Sequence, residues 1–317
     1  MTALMQLGAR PGPAADATKP SRYRTVGLLL AIAGLMGAAA ATIGNFVAAG
    51  SIDGANSYAE TFAWTFGLST FSFGVIKIAI ATILMGIIVR LWFRVDAVKA
   101  ALQRLHGHSE RAVRTPTGAA ATEYGPVTVT DDPPQPLFIH RMARFMWRPS
   151  LVMGAVALLV GLISSFVWAG ETVGTESFRQ AAAWTQGVEF LGETFLLAGV
   201  AFLLGTILAG LRDGGGEVQH SLGLSVTTLK MPTTAKAFVV LMMFGMMLGV
   251  AQFVGYLIAI GLADNPASYS TWSNVLGPLR ELSLGLILAG IVLALVTIGN
   301  VLRFQFGRVT SIIRTGR

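Results

Sequence analysis

Residues 46–67 read FVAAGSIDGANSYAETFAWTFG, and residues 166–187, 120 positions later, read FVWAGETVGTESFRQAAAWTQG. Ten of these 22 positions are identical: Phe46-Val47, Ala49-Gly50, Gly54, Ser57, Ala63-Trp64-Thr65 and Gly67 match Phe166-Val167, Ala169-Gly170, Gly174, Ser177, Ala183-Trp184-Thr185 and Gly187. A weaker third copy keeps Phe253-Val254 and then Thr271-Trp272, with one residue inserted. Self-similarity at a fixed offset marks a structural unit used more than once. Here the unit is the end of one apolar run, a short connection, a tryptophan and the start of a second apolar run.

Outward from these turns lie six apolar stretches, roughly 25–50, 65–91, 150–170, 187–211, 236–262 and 281–302. Each is long enough to cross a hydrocarbon layer of about 30 Å as a helix. Exposed strands are excluded there, because unpaired backbone in lipid costs several kcal/mol per group. The expected fold is an all-α integral membrane protein with six transmembrane helices, arranged as three parallel two-helix repeats. Each unit has an even number of spans, so the copies share one orientation.

The organisation follows. Residues 1–24 form an N-terminal tail, 25–91 the first repeat, and 92–149 a basic loop with a helical extension and an amphipathic lead-in. Residues 150–212 form the second repeat, 213–235 a loop, 236–303 the third repeat, and 304–317 a C-terminal tail. The run from Val26 to Gly50 exceeds a signal-peptide core and is expected to remain as a helix.

Composition agrees. Hydrophobic residues make up 53% of the chain and charged residues 12%, against about 25% charged in soluble domains; the mean hydropathy is +0.65. The net charge of +7 would suggest nucleic acid in a soluble protein. The basic residues instead gather beside apolar runs. Arg94, Lys99, Arg104, Arg111, Arg114, Arg141, Arg144 and Arg148 lie in 92–149. Arg212 and Lys230 flank the next connection, and Arg303, Arg308, Arg314 and Arg317 the C-terminus. The short connections 51–64, 171–186 and 263–280 carry only Arg179 and Arg280. Cytoplasmic flanks are rich in Lys and Arg, which predicts both termini inside and a multi-pass plasma (inner) membrane protein. The segment 137–148, LFIHRMARFMWR, suits either a short helix at lipid headgroups or a basic lead-in to the third span.

Ionisable groups within spans are rare and mark function by default. Lys77 stands 13 residues before Arg90, and Glu193 stands 19 before Arg212. These are about 20 Å and 28 Å at 1.5 Å per residue, so the two form a candidate intramembrane pair between units. Glu189, Arg280 and Glu281 are expected as charges at the outer mouth. The four-residue spacings Gly34/Ala38, Gly245/Gly249, Gly285/Ala289 and Gly290/Ala294 are expected to line helix-packing faces, with Met242, Met243, Met246 and Met247 filling irregular contacts. Trp64, Trp184 and Trp272 are expected as interfacial anchors. Pro149, Pro232 and Pro278 are expected at or near helix beginnings.

No catalytic set emerges. His106, His108, His140 and His220 fall outside the apolar stretches, so a haem held by two histidines between spans is not expected. His106-x-His108 alone is a weak metal site, and the absence of cysteine excludes thiolate sites and disulfides. Gly214-Gly215-Gly216 lacks the lysine and the strand of a phosphate loop and reads as a flexible connector. Three helix pairs also describe the mitochondrial carriers, but their Pro-x-Asp/Glu-x-x-Lys/Arg signature is missing here.

The functional expectation is a non-enzymatic scaffold, anchor or accessory subunit of a larger membrane complex, without catalytic residues, cofactor or metal. The alternative is a small-solute or ion transporter or channel with a polar path near Lys77 and Glu193. Expected partners are the lipid bilayer and proteins held within it or docked on the basic loop; nucleic acid is not among them.

Overall fold

The computed structural model describes residues 22–50, 55–106, 118–122, 125–132 and 135–315. Most of the N-terminal tail, Asp53, Gly54, His108, Arg111, Arg114, Pro116, Pro133-Pro134 and Arg317 lie outside that set.

Among the described residues six helices and three short strands follow in chain order: α1 (Arg22–Gly50), α2 (Ala55–His106), β1 (Gly118–Thr122), β2 (Gly125–Thr130), α3 (Phe138–Gly170), α4 (Glu176–Ser221), β3 (Val226–Leu229), α5 (Thr233–Gly261) and α6 (Pro266–Thr315). All six helices are long and apolar enough to cross a membrane. Consecutive helices pack as pairs, α1 on α2, α3 on α4 and α5 on α6. Helix α4 is the hub. It packs against α2, α3, α5 and α6, and 78% of its most apolar window is buried, against 17–33% for the other five.

Small residues explain how closely the helices approach. Leu-x-x-Gly occurs twice on α3, as Leu151/Gly154 and Leu158/Gly161, and twice on α4, as Leu196/Gly199 and Leu211/Gly214. Seven residues before Leu196, α4 carries Glu189 with Gly192. The two helices exchange these groups. Leu158 fills the slot at Gly192, where a Cβ would lie 2.9 Å from its Cγ, and Leu196 fills the slot at Gly154, where a Cβ would lie 2.8 Å from the Leu196 backbone nitrogen. Leu151 lies against Gly199, and Glu189 against Gly161. Glycine at these positions lets the backbones close on each other. Gly27 and Gly34 do the same for Ile83 and Ile76 between α1 and α2.

Helices α5 and α6 are joined along their length by hydrogen bonds. Thr234 and Thr297 share one at 2.8 Å. Ser283 Oγ donates to the Gly245 carbonyl at 2.9 Å, Gln252 Nε2 to the Leu276 carbonyl at 2.8 Å, and Trp272 Nε1 to the Gly255 carbonyl at 2.7 Å.

Three local expectations need correction. The chain is not purely helical: β2 pairs antiparallel with both β1 and β3. The glycine triplet 214–216 is no connector, because α4 runs through it to Ser221. Gly214 admits Val95 of α2, and Gly215 admits Gln305 of α6, so neighbouring packing offsets the weak helix propensity of glycine. Pro149 and Pro278 lie inside α3 and α6, while Pro232 is the N-cap of α5. Of the two readings of 137–148, the lead-in describes it: residues 138–148 are the first part of α3 itself.

The second helices of the pairs, 52, 46 and 50 residues long, exceed the roughly 20 needed for a span. The C-terminal extensions of α4 and α6 meet the sheet, and that of α2 packs beside the end of α4 through Val95 and Val98. Gln219, fully buried, donates to the Thr227 carbonyl at 3.1 Å and accepts from the Thr227 amide at 3.0 Å, so its amide serves as a further strand beside β3. Val127, Val129 and Phe304 form a small core beneath.

At the opposite end the connections are short. Gly174, at φ +86°, makes the turn before α4, a backbone region that glycine enters without steric cost. Thr175 caps α4 by accepting from the Phe178 amide. Arg179 donates to the carbonyls of Gly174 and Ala263, both at 2.7 Å, tying this turn to the one before α6.

Candidate functional site

Three second helices converge on one carboxylate. Glu193 projects from α4 and is 5% exposed. Lys77 of α2 donates from Nζ to Glu193 Oε1 at 2.5 Å, and Arg280 of α6 donates from Nη2 to Oε2 at 2.9 Å. Both oxygens are thus in charge-assisted bonds, the stronger class of hydrogen bond. The Arg280 guanidinium also lies 3.7 Å from the ring centre of Phe190 and 5.9 Å from that of Phe66, so aromatic faces shield the cation. Phe190 stacks in turn on Tyr256 of α5 at 5.8 Å.

Helix geometry explains the meeting. Counting from the repeated tryptophan near the start of each second helix, Arg280 stands eight residues on, Glu193 nine and Lys77 thirteen. Arg280 and Glu193 therefore lie at nearly the same height. Lys77 lies about one turn deeper, a gap of about 6 Å that its long side chain spans toward the outer turns.

Glu189, one turn from Glu193, is not at an outer mouth. It is 1% exposed, and among the described residues neither carboxyl oxygen has a hydrogen-bond partner. Gly161 of α3 is the slot against its side chain, and Gly67 of α2 backs onto both Glu189 and Ser165. The Thr70 hydroxyl faces the carboxyl from α2 without a hydrogen bond of acceptable geometry. Burying a charged carboxylate without partners is expensive. Glu189 also occupies the place that leucine takes one heptad further along α4.

The remaining residues singled out by sequence separate into contacts and free surfaces. Arg280 belongs to the central cluster, whereas Glu281 is exposed. Gly245 and Gly249 are buried: Gly245 lies against Ser283 and Ile287, and Gly249 against Thr194. Gly285 and Ala289 face outward, and a Cβ at Gly285 would meet nothing within 4 Å. Among the tryptophans, Trp184 is 41% exposed, Trp64 packs beside Gly44, and Trp272 is bonded to the α5 backbone. Among the described residues no group of three or more His, Asp or Glu could hold a metal.

Comparison with models of known protein families, with curated proteins and with solved structures finds no match. Function therefore rests on the chain's own geometry.

Proposed function

We propose that this chain is a multi-pass membrane protein of three tandem two-helix units that acts as a non-enzymatic scaffold or accessory subunit. In this reading the basic ends of the helices and the three-stranded sheet face the cytoplasm, and the short turns face outward. The plasma membrane is the proposed location, supported by the distribution of arginines on either side of the apolar runs.

One observation carries the reading. Both oxygens of Glu193 are bonded by cations from the two other helix pairs, which commits that carboxylate to groups of the chain itself. A closed cluster of this kind works as a fastener, and breaking it strands a buried charge. Among the described residues nothing covers the outward face at Gly285 and Ala289, and small residues there would let a helix of another subunit approach closely. The test is mild extraction followed by mass measurement of the intact assembly. A stoichiometric partner that is lost on Gly285→Leu, with the chain itself still folded, supports the proposal. A lone chain that moves a solute into liposomes overturns it.

Glu189 favours a second reading, transport. A buried carboxyl without a hydrogen bond, set one turn from a Lys–Glu–Arg cluster, is a group that could carry a proton or a cation through the bundle. Proton-driven or cation-driven uptake abolished by Glu189→Gln would select this reading over the first.

A further inference from the structure

Helices α3 and α5 both lie on α4 but are not packed against one another. Between them, toward the basic end of the bundle, is a cavity of about 300 Å³. Its wall is divided by chemistry. Arg212, Lys230 and His140 sit at one end with Thr228 and Gln305, while the other end is apolar, with Ala201, Phe238, Val239 and Met242. No Asp or Glu lines it.

The rim cations are uncommitted. Arg212 makes one hydrogen bond to a neutral group, from Nη1 to the Gln135 carbonyl at 3.1 Å. Lys230 makes no ion pair among the described residues, and the buried His140 Nδ1 has no hydrogen-bond partner. The neighbouring carboxylate, Asp213, is held by Arg144 at 2.6 Å. From Arg212 to Ala201 the wall descends eleven helical residues, about 16 Å. That is close to half of the roughly 30 Å hydrocarbon layer, the depth of one leaflet. Beside the rim, α3 carries Arg141, Arg148 and the exposed Phe138 and Phe145, a mixture suited to the headgroup region.

We infer that this cavity binds an anionic phospholipid of the adjoining leaflet. Its phosphate lies against Arg212 and Lys230, and one acyl chain runs down the apolar wall toward Met242. The gap between α3 and α5 lets the lipid enter sideways from the bilayer. This inference rests on the membrane reading above and not on the scaffold role.

The test uses the full chain, purified in detergent and re-equilibrated separately with phosphatidylglycerol and phosphatidylcholine, with bound lipid counted by native mass spectrometry. Two rim cations are expected to favour phosphatidylglycerol by roughly tenfold or more. The double variant Arg212→Gln/Lys230→Gln is expected to abolish that preference, and Val239→Trp, which fills the apolar end, to reduce binding of both lipids. Equal retention of the two lipids, or a preference that survives the double variant, overturns the inference. Displacement of bound lipid by millimolar inorganic phosphate would assign the rim to a free anion and also overturn it. A parallel alkaline extraction of cell membranes separates the two levels: a chain released into solution refutes the membrane reading, whereas a retained chain without lipid preference refutes this site alone.

Discussion

Arg280 bonds one oxygen of Glu193 at 2.9 Å, and Lys77 bonds the other at 2.5 Å. One carboxylate on the hub helix thus joins all three helix pairs. The cluster has two cations for one anion, so its members are not equivalent on removal.

Glu193→Gln leaves Lys77 and Arg280 as like charges in an enclosed site and is expected to cost about 3 kcal/mol or more. Lys77→Met leaves the Arg280 pair intact, and Lys77 is 17% exposed, so its expected cost is smaller, about 1–2 kcal/mol. Thermal unfolding in one fixed detergent–lipid mixture checks the order. Equal, negligible effects would remove the cluster from the stability of the fold.

Glu189→Leu restores the leucine pattern of α4 in the slot at Gly161. Exchanging an unpartnered buried carboxyl for an apolar side chain of similar size is expected to stabilise the bundle by about 1–2 kcal/mol. The same unfolding measurement reads it, and a fall in the midpoint would mean that the carboxyl makes a structural contact.

The glycines divide by what surrounds them. Gly154→Ala drives a methyl toward the Leu196 backbone nitrogen, 2.8 Å away, and is expected to cost about 1–3 kcal/mol. Gly285→Ala meets nothing and is expected to be neutral or to gain up to about 1 kcal/mol from lower unfolded-state entropy. Paired melting curves of the two variants check the contrast.

Among the tryptophans, Trp272→Phe leaves the Gly255 carbonyl without its side-chain donor and is expected to cost about 1–2 kcal/mol. Trp184→Phe, at a half-exposed site without a comparable bond, is expected to cost less than about 0.5 kcal/mol. Comparing the two variants by thermal unfolding decides whether these residues are equivalent belt anchors.

The helices were legible because span length and apolarity are properties of single segments, and Lys77 and Glu193 stood out against that background. Arg280 was harder to place. Pro278 and the preceding polar residues read as the approach to a helix, yet α6 starts at Pro266, so Arg280 stands 14 residues past its first residue, about four turns. Glu189 looked like a mouth residue because hydropathy does not record packing. Its seven-residue spacing from Leu196, beside Gly192 and Gly199, was the available signal. The sheet also had a local signature in the alternation of Val127-Thr128-Val129-Thr130 and in Val226-Thr227-Thr228, since period-two patterns of β-branched residues favour strands. Gly214-Gly215-Gly216 stays helical because Val95 and Gln305 fill the space beside it, and partners so distant in sequence leave no local trace.

In the proposed topology the six apolar helices cross a membrane with the sheet and the short turns on opposite sides. The chain contains no cysteine, so a single introduced thiol reports without background. Thr172, exposed in the turn before α4, and Asp132, exposed beside β2, mark the two ends. A membrane-impermeant maleimide applied to intact cells is expected to label Thr172→Cys directly and Asp132→Cys only after permeabilisation; labelling of Asp132→Cys from outside, or of both positions alike, would contradict the account.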